Sequence, residues 1–298
     1  MSVSIRPRRS ALYMPGSNPR VLAKGRELPA DALILDLEDA VAPDAKEAGR
    51  QEIAAALAAK ASYGPRELVV RVNGLDTSWG HADLVAMAKT GADAILLPKV
   101  ESADMVRRAA AVLDGAGAPA DLAIWCMMET PRGILRAEDI ADHPRVACLV
   151  MGTSDLTKDL MARHTAMRLP MLPSLALCLL AARASGIAII DGVYLDLDDQ
   201  AGLVAACEQG RELGFDGKTL IHPKQIAAAN DTFGPTEEAI RSAKRIIEAY
   251  GEALRDGRGV TVLDGKLVEN LHVAEAERLV ALAEAIAARA DAPGGRAA

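Results

Sequence analysis

Two kinds of segment alternate along this chain: short, continuous apolar runs, and longer stretches in which apolar residues recur every three or four positions. The apolar runs cover residues 11–14, 32–37, 68–72, 94–97, 123–128, 146–151 and 187–190, with a weaker eighth over 214–221. Each ends in polar or turn residues: Pro15-Gly16, Glu38-Asp39, Asn73-Gly74, Pro98-Lys99, Glu129-Thr130-Pro131, Gly152-Thr-Ser-Asp155, Asp191-Gly192 and His222-Pro223. Runs of this length predict strands, and the periodic stretches between them predict helices. Because the runs are continuous rather than alternating, both faces of each strand must be covered, which implies a parallel sheet. Eight such units in about 220 residues fit a closed (β/α)₈ TIM barrel better than an open doubly wound sheet. No G-x-G-x-x-G follows the first run, which removes the usual dinucleotide fold.

Local signals sharpen the boundaries. Pro131 pushes Thr130 out of the α region, ending the fifth strand, and is itself well placed to open a helix. Ser17 or Asn18 can cap the first helix, and residues 44–62 form an alanine-rich amphipathic segment. Past Phe233-Gly234-Pro235 the rhythm changes: a helix over 236–255, then two apolar runs around Asp264-Gly265, which signal a hairpin, then a helix over 272–289. The expected division is a barrel over 9–233 and a C-terminal helix–hairpin–helix extension over 234–298, a lid or oligomerisation arm, with residues 291–298 frayed.

Composition narrows the class of partner. Half of the residues are hydrophobic but only 3% are aromatic, so the core is aliphatic. A net charge of -7 without a basic stripe argues against nucleic acid and against an anionic membrane surface. No apolar run approaches the ~20 residues needed to span a bilayer, and no signal-peptide core follows the basic N-terminus. Cys126, Cys148, Cys178 and Cys207 are widely spaced, which reads as free thiols in a reducing, cytoplasmic setting.

In a TIM barrel the polar residues at strand ends converge on one mouth. The candidates are Glu38, Asp39, Arg71, Asn73, Lys99, Glu101, Glu129, Asp155, Asp191 and His222. Several acids with no histidine cluster suit a hard, oxygen-seeking ion such as Mg²⁺, which takes one or two carboxylates and completes its shell with water and substrate. Glu129 and Asp155 end adjacent strands, which lie ~4.8 Å apart, so both can reach one ion. Each also has an ordinary reading, Glu129 as a rim ion pair and Asp155 as a helix cap. Asp36 is expected inside the barrel, and His222 as a structural hydrogen-bonder. Arg71 follows a buried apolar run, so it requires a carboxylate partner from protein or substrate. Gly217-Lys218-Thr219 is no phosphate loop, because the glycine required upstream falls on Glu212.

Six motifs occur in order: Arg9-Ser-Ala-Leu-Tyr-Met-Pro-Gly16, Leu35-Asp-Leu-Glu-Asp-Ala-Val41, Val70-Arg-Val-Asn-Gly74, Leu97-Pro-Lys-Val-Glu101, Met128-Glu-Thr-Pro-Arg-Gly-Ile134 and Gly152-Thr-Ser-Asp-Leu156. Together they resemble the citrate lyase β-subunit-like family of the HpcH/HpaI aldolase superfamily, whose relatives include malyl-CoA and citramalyl-CoA lyases. The resemblance spans essentially the whole chain. It implies a TIM barrel with Mg²⁺ (Mn²⁺ as the alternative) on Glu129 and Asp155, and Arg71 contacting substrate. Glu129 and the backbone of Gly152, Thr153 and Ser154 would hold a bound 2-oxo acid. It further implies reversible carbon–carbon cleavage of a 3-hydroxyacyl-CoA ester to an acyl-CoA and a 2-oxo acid, in a homotrimer or hexamer.

In the CoA-lyase relatives the enolate is protonated by an Asp on a C-terminal lid segment reaching in from a neighbouring subunit. The aligned position here is Glu269, a catalytic candidate whose extra methylene shifts the carboxylate by more than about an ångström. Three alternatives stay open: an aldolase on a non-thioester substrate, a β subunit acting on an acyl-carrier protein, and a silent binding barrel.

Overall fold

In the computed structural model, which describes residues 6–291, eight parallel strands close into a barrel in sequence order: β1 (Ser10–Pro15), β2 (Ala32–Asp36), β3 (Glu67–Arg71), β4 (Ala94–Leu97), β5 (Ala123–Met128), β6 (Val146–Met151), β7 (Ala188–Asp191) and β8 (Gly217–Leu220), with β8 pairing back onto β1. The expected (β/α)₈ barrel is present. Helices fill the connections: α1 (Pro19–Lys24), α2 (Lys46–Ala58), α3 (Gly80–Met87), α4 (Ala103–Gly115), α5 (Pro131–Ile134), α6 (Ala137–Ala141), α7 (Thr153–Asp159), α8 (Leu172–Ala184), α9 (Gln200–Leu213) and α10 (Ile226–Phe233). The caps are those the sequence offers. Asn18 Oδ1 accepts from Val21 N–H at 3.2 Å, and Thr130 Oγ1 accepts from Gly133 N–H at 3.1 Å as Pro131 opens α5.

Side-chain parity splits the core in two. The interior stack, with Ala32, Ile34, Val69, Leu96, Trp125 and Met127, fills the barrel, while the alternate residues pack outward against the helices. At the N-terminal end the interior is plugged. Arg8 forks onto Glu67 at 2.7 and 2.8 Å and lies over the Trp125 ring at 4.9 Å. Only the C-terminal end is left for chemistry. All four cysteines are buried and free.

After α10 come α11 (Glu237–Arg255), β9 (Thr261–Leu263), β10 (Lys266–Val268) and α12 (Asn270–Asp291). Thr236 caps α11, and Leu263 pairs with Lys266, so Asp264 and Gly265 alone make the turn, both with positive φ (51° and 75°). That is the mirror-image two-residue turn that Asp-Gly favours. Tyr250, Val268 and Val273 form a small apolar cluster of their own. Helix α12 is tied to the plugged end of the barrel: Arg289 donates to Asp31 O at 2.7 Å, and Arg278 lies 4.0 Å from Asp216. Asp31 and Asp216 immediately precede β2 and β8, opposite the open mouth. The tail expected to fray lies, beyond residue 291, outside the described residues.

Candidate active site

Period-two alternation carries Asp36, Arg71 and Glu129 inward, since Ile34, Val69 and Met127, two residues earlier, all lie in the interior stack. Asp36 and Arg71 are register partners on β2 and β3. Arg71 Nε and Nη2 donate to Asp36 Oδ1 and Oδ2 at 2.7 and 2.6 Å, so the carboxylate that Arg71 requires is supplied by the protein. The Tyr13 ring underlies the guanidinium at 4.8 Å. Burial alone would pull the Arg71 pKa down, but Asp36, Tyr13 and Glu38 outweigh it and hold the group charged.

The remaining nitrogen, Nη1, faces acids: Glu38 Oε2 at 2.8 Å and Asp39 at 3.5 Å. The Glu38 contact lacks hydrogen-bond geometry, so Oε2 is buried in an ion pair but not hydrogen-bonded. Its other oxygen accepts from Lys99 Nζ at 2.7 Å.

Lys99 follows β4 and Pro98 with a left-handed backbone (φ 48°), uncommon for a residue with a side chain. That twist lets its N–H donate to Glu129 Oε1 at 2.8 Å. Its ammonium also lies 3.8 Å from Asp155 Oδ2. Glu129 is 2% exposed. Burial, then the negative charge of Glu38, push its pKa up to about 7 against the pull of Lys99. Gly152 crosses directly beneath: any side chain there would run into Glu129 Oε2 and Cβ, which explains the glycine between β6 and α7. Asp155 sits in the first turn of α7, half-buried, with Lys158 Nζ at 3.3 Å.

The donor set fits a divalent ion. Five acids, Asp36, Glu38, Asp39, Glu129 and Asp155, face three cations, Arg71, Lys99 and Lys158, an excess of two carboxylates. Among the described residues no group of three ligating side chains is ready to enclose a metal. An ion here would take Glu129 and Asp155 and complete its shell with water or substrate oxygens, the habit of Mg²⁺. The amides of Thr153 and Ser154 open α7 with no side-chain cap.

Several strand-end candidates do not join this group. Asp191 points outward, where Lys218 Nζ (2.8 Å) and Arg168 Nη1 (2.7 Å to both oxygens) neutralise it. Asn73 is spent on Asp83 and on Leu37 O, and His222 Nδ1 accepts from Lys224 N–H in a tight turn. Glu101 pairs loosely with Arg132 at 3.7 Å on the rim. Glu269 stands just ahead of α12, and among the described residues no hydrogen bond or ion pair joins it to Arg71, Glu129 or Asp155. Sequence reasoning passed over Tyr13, although its spacing from Ala11 already placed it inside the barrel.

Comparison with known proteins gives the family. The chain is 53% identical over 288 residues to a (3S)-malyl-CoA thioesterase of Cereibacter sphaeroides, covering 97% of this chain and 99% of that protein. It is 35% identical over 285 residues to the citrate lyase subunit beta of Escherichia coli, covering 94% of each. The structure of CitE from Mycobacterium tuberculosis in complex with magnesium, acetoacetate and coenzyme A matches with a TM-score of 0.75 at 29% identity, over 94% of this chain and all of that one. The family model described as HpcH/HpaI aldolase/citrate lyase matches residues 9–223, more than half of the chain. With its closed barrel and acid-lined mouth, this chain belongs to the HpcH/HpaI aldolase/citrate lyase family.

Proposed function

We propose that this protein hydrolyses the CoA thioester of a short hydroxy-dicarboxylic acid, (3S)-malyl-CoA or a close analogue, to the free acid and CoA, with Mg²⁺ at Glu129 and Asp155. The observation that carries this reading is 53% identity over nearly the full length of both chains to a (3S)-malyl-CoA thioesterase. It departs from the carbon–carbon lyase that the motif resemblance implies, and the two share a first requirement. In either reaction the thioester oxygen gains negative charge, as a tetrahedral oxyanion or as an enolate.

Arg71 meets that need. Asp36 and Tyr13 fix its fork, and Nη1, which makes no well-formed hydrogen bond to Glu38, is the donor left for a substrate oxygen. The bound ion would supply Lewis-acid polarisation of substrate oxygens. Glu129 and Asp155 would hold it, and the uncapped amides of Thr153 and Ser154 receive the substrate carboxylate. Glu269, which makes no hydrogen bond or ion pair to Arg71, Glu129 or Asp155 of its own chain among the described residues, acts as base or acid in a neighbouring copy of a homotrimer or hexamer.

A second reading, cleavage to acetyl-CoA and glyoxylate, is favoured by the citrate lyase β-subunit relatives. Incubating purified protein and Mg²⁺ with (3S)-malyl-CoA separates the two. Free thiol released together with malate supports hydrolysis, whereas glyoxylate without free thiol supports cleavage. Release of neither product rejects both. Glu269→Gln should slow turnover about tenfold or more with Mg²⁺ affinity unchanged; full turnover would remove it from the reaction.

A further inference from the structure

Lys99 has no part in the reaction just described, yet it contacts three acids of the mouth. Its N–H holds Glu129, its ammonium holds Glu38 at 2.7 Å, and the same ammonium stands 3.8 Å from Asp155. We infer that Lys99 is a tethered counter-cation, which neutralises the mouth while no metal is bound, withdraws from Asp155 when a divalent ion arrives, and then meets an anionic oxygen of the substrate. The inference rests on the reading of Glu129 and Asp155 as the metal's ligands.

The geometry separates what is fixed from what can move. The main chain of Lys99 is pinned by its left-handed turn and its bond to Glu129. The side chain is 43% exposed on a jointed four-carbon stem. Arg71 has no such freedom, because Asp36 grips it at two nitrogens and Tyr13 lies under it.

An ammonium 3.8 Å from Asp155 and a cation bound to that carboxylate would repel each other. A divalent ion also brings the mouth to neutrality. The next negative charge to enter is the substrate's carboxylate, and Lys99 is the mouth cation able to turn toward it.

A cation that competes with the metal behaves differently from one that merely braces the site. Mg²⁺ titrations by calorimetry, without substrate, should show Lys99→Met binding roughly fivefold more tightly than wild type. Glu38→Gln, which frees Lys99 to close on Asp155, should bind Mg²⁺ more weakly by a similar factor. With Mg²⁺ saturating, Lys99→Met should bind L-malate roughly fivefold more weakly. Lys99→Gln serves as a second variant and should follow Lys99→Met in each measurement.

Weaker or unchanged Mg²⁺ affinity in both Lys99 variants would overturn the inference, as would a shift of Glu38→Gln in the same direction as theirs. Unchanged L-malate affinity beside tighter Mg²⁺ would remove the substrate contact. Wild-type protein that binds no Mg²⁺, or a Glu129→Ala variant that binds it normally, would instead sink the metal reading itself, and this inference with it.

Discussion

Two clusters of buried charge sit at the strand ends of this barrel, one inside it and one between the strands and the helices. Inside, Glu129 is almost fully enclosed and receives a single backbone hydrogen bond from Lys99, with Glu38 nearby adding a like charge. Outside, Asp191 is equally enclosed but has Lys218 and Arg168 on its carboxylate, each within 2.8 Å. The consequences are opposite. Burial pushes the Glu129 pKa up to about 7. Burial pushes Asp191 upward too, but its two cations outweigh it and hold the group below the ordinary range. Burial alone therefore does not mark a functional acid. An acid whose counter-charges are built in has nothing left to bind, while one left short of positive charge keeps its affinity for an incoming cation.

Removing each acid should expose that difference. On the proposed function, Glu129→Ala should cost on the order of 1,000-fold in kcat along with Mg²⁺ binding, because it would delete a ligand to the ion that polarises substrate. Its melting temperature should hold or rise, since an uncompensated buried carboxylate is gone. Mg²⁺ calorimetry and thermal unfolding on one preparation check both statements, and unchanged Mg²⁺ affinity would break the metal assignment. Asp191→Ala should do the reverse. Lys218, 1% exposed, and Arg168 would lose their shared partner, at roughly 3 kcal/mol of stability by denaturant titration. Activity per folded molecule should survive, and a loss like that of Glu129→Ala would place Asp191 in the reaction.

Gly152→Ala tests the cluster's shape rather than its charge. The added methyl runs into Glu129 Oε2, so the carboxylate must swing from its position beside Lys99. A displacement near 1 Å costs about 100-fold in a positioning-sensitive site. Turnover at saturating Mg²⁺ is the readout, and an effect under threefold would show that the carboxylate has more freedom than the close approach implies.

Much of this arrangement is readable in the sequence because the apolar runs are short, continuous and regularly interspersed, which yields the barrel, and because Glu129 directly follows one run, Arg71 lies near the end of another and Asp155 falls in the turn after a third. What sequence does not show is parity. Asp191 and Glu129 both end apolar runs before a glycine- or proline-bearing turn, yet Asp191 continues the outward face and Glu129 the inward one. One residue of register separates them. Lys99 is hidden for another reason: its contact with Glu129 is made by the backbone, through a left-handed turn that no side-chain pattern announces. The position of Glu269 was equally unreadable, since periodicity finds α12 but not the Arg278 and Arg289 contacts that draw it to the plugged end.

The gentlest test leaves every residue in place and varies only pH, on metal-free protein held in chelator. Glu129 has a native pKa of about 7 against 4.5 when unfolded, so between those values the native state keeps a proton that the unfolded chain has released. Stability is then fully present below about pH 4.5 and is lost as pH rises through 7, by roughly 3 kcal/mol. Asp191 slopes the other way. Its native pKa lies below the unfolded value of 3.8, so its contribution is present above that value and is lost only as pH falls through the native one. Across pH 5 to 8 the two effects do not overlap: Glu129→Gln should flatten the decline in unfolding free energy, and Asp191→Asn should shift the curve down while leaving its slope. A slope that survives Glu129→Gln would mean that the mouth's excess charge is carried by another acid, with Glu38, also raised by burial, the first to replace.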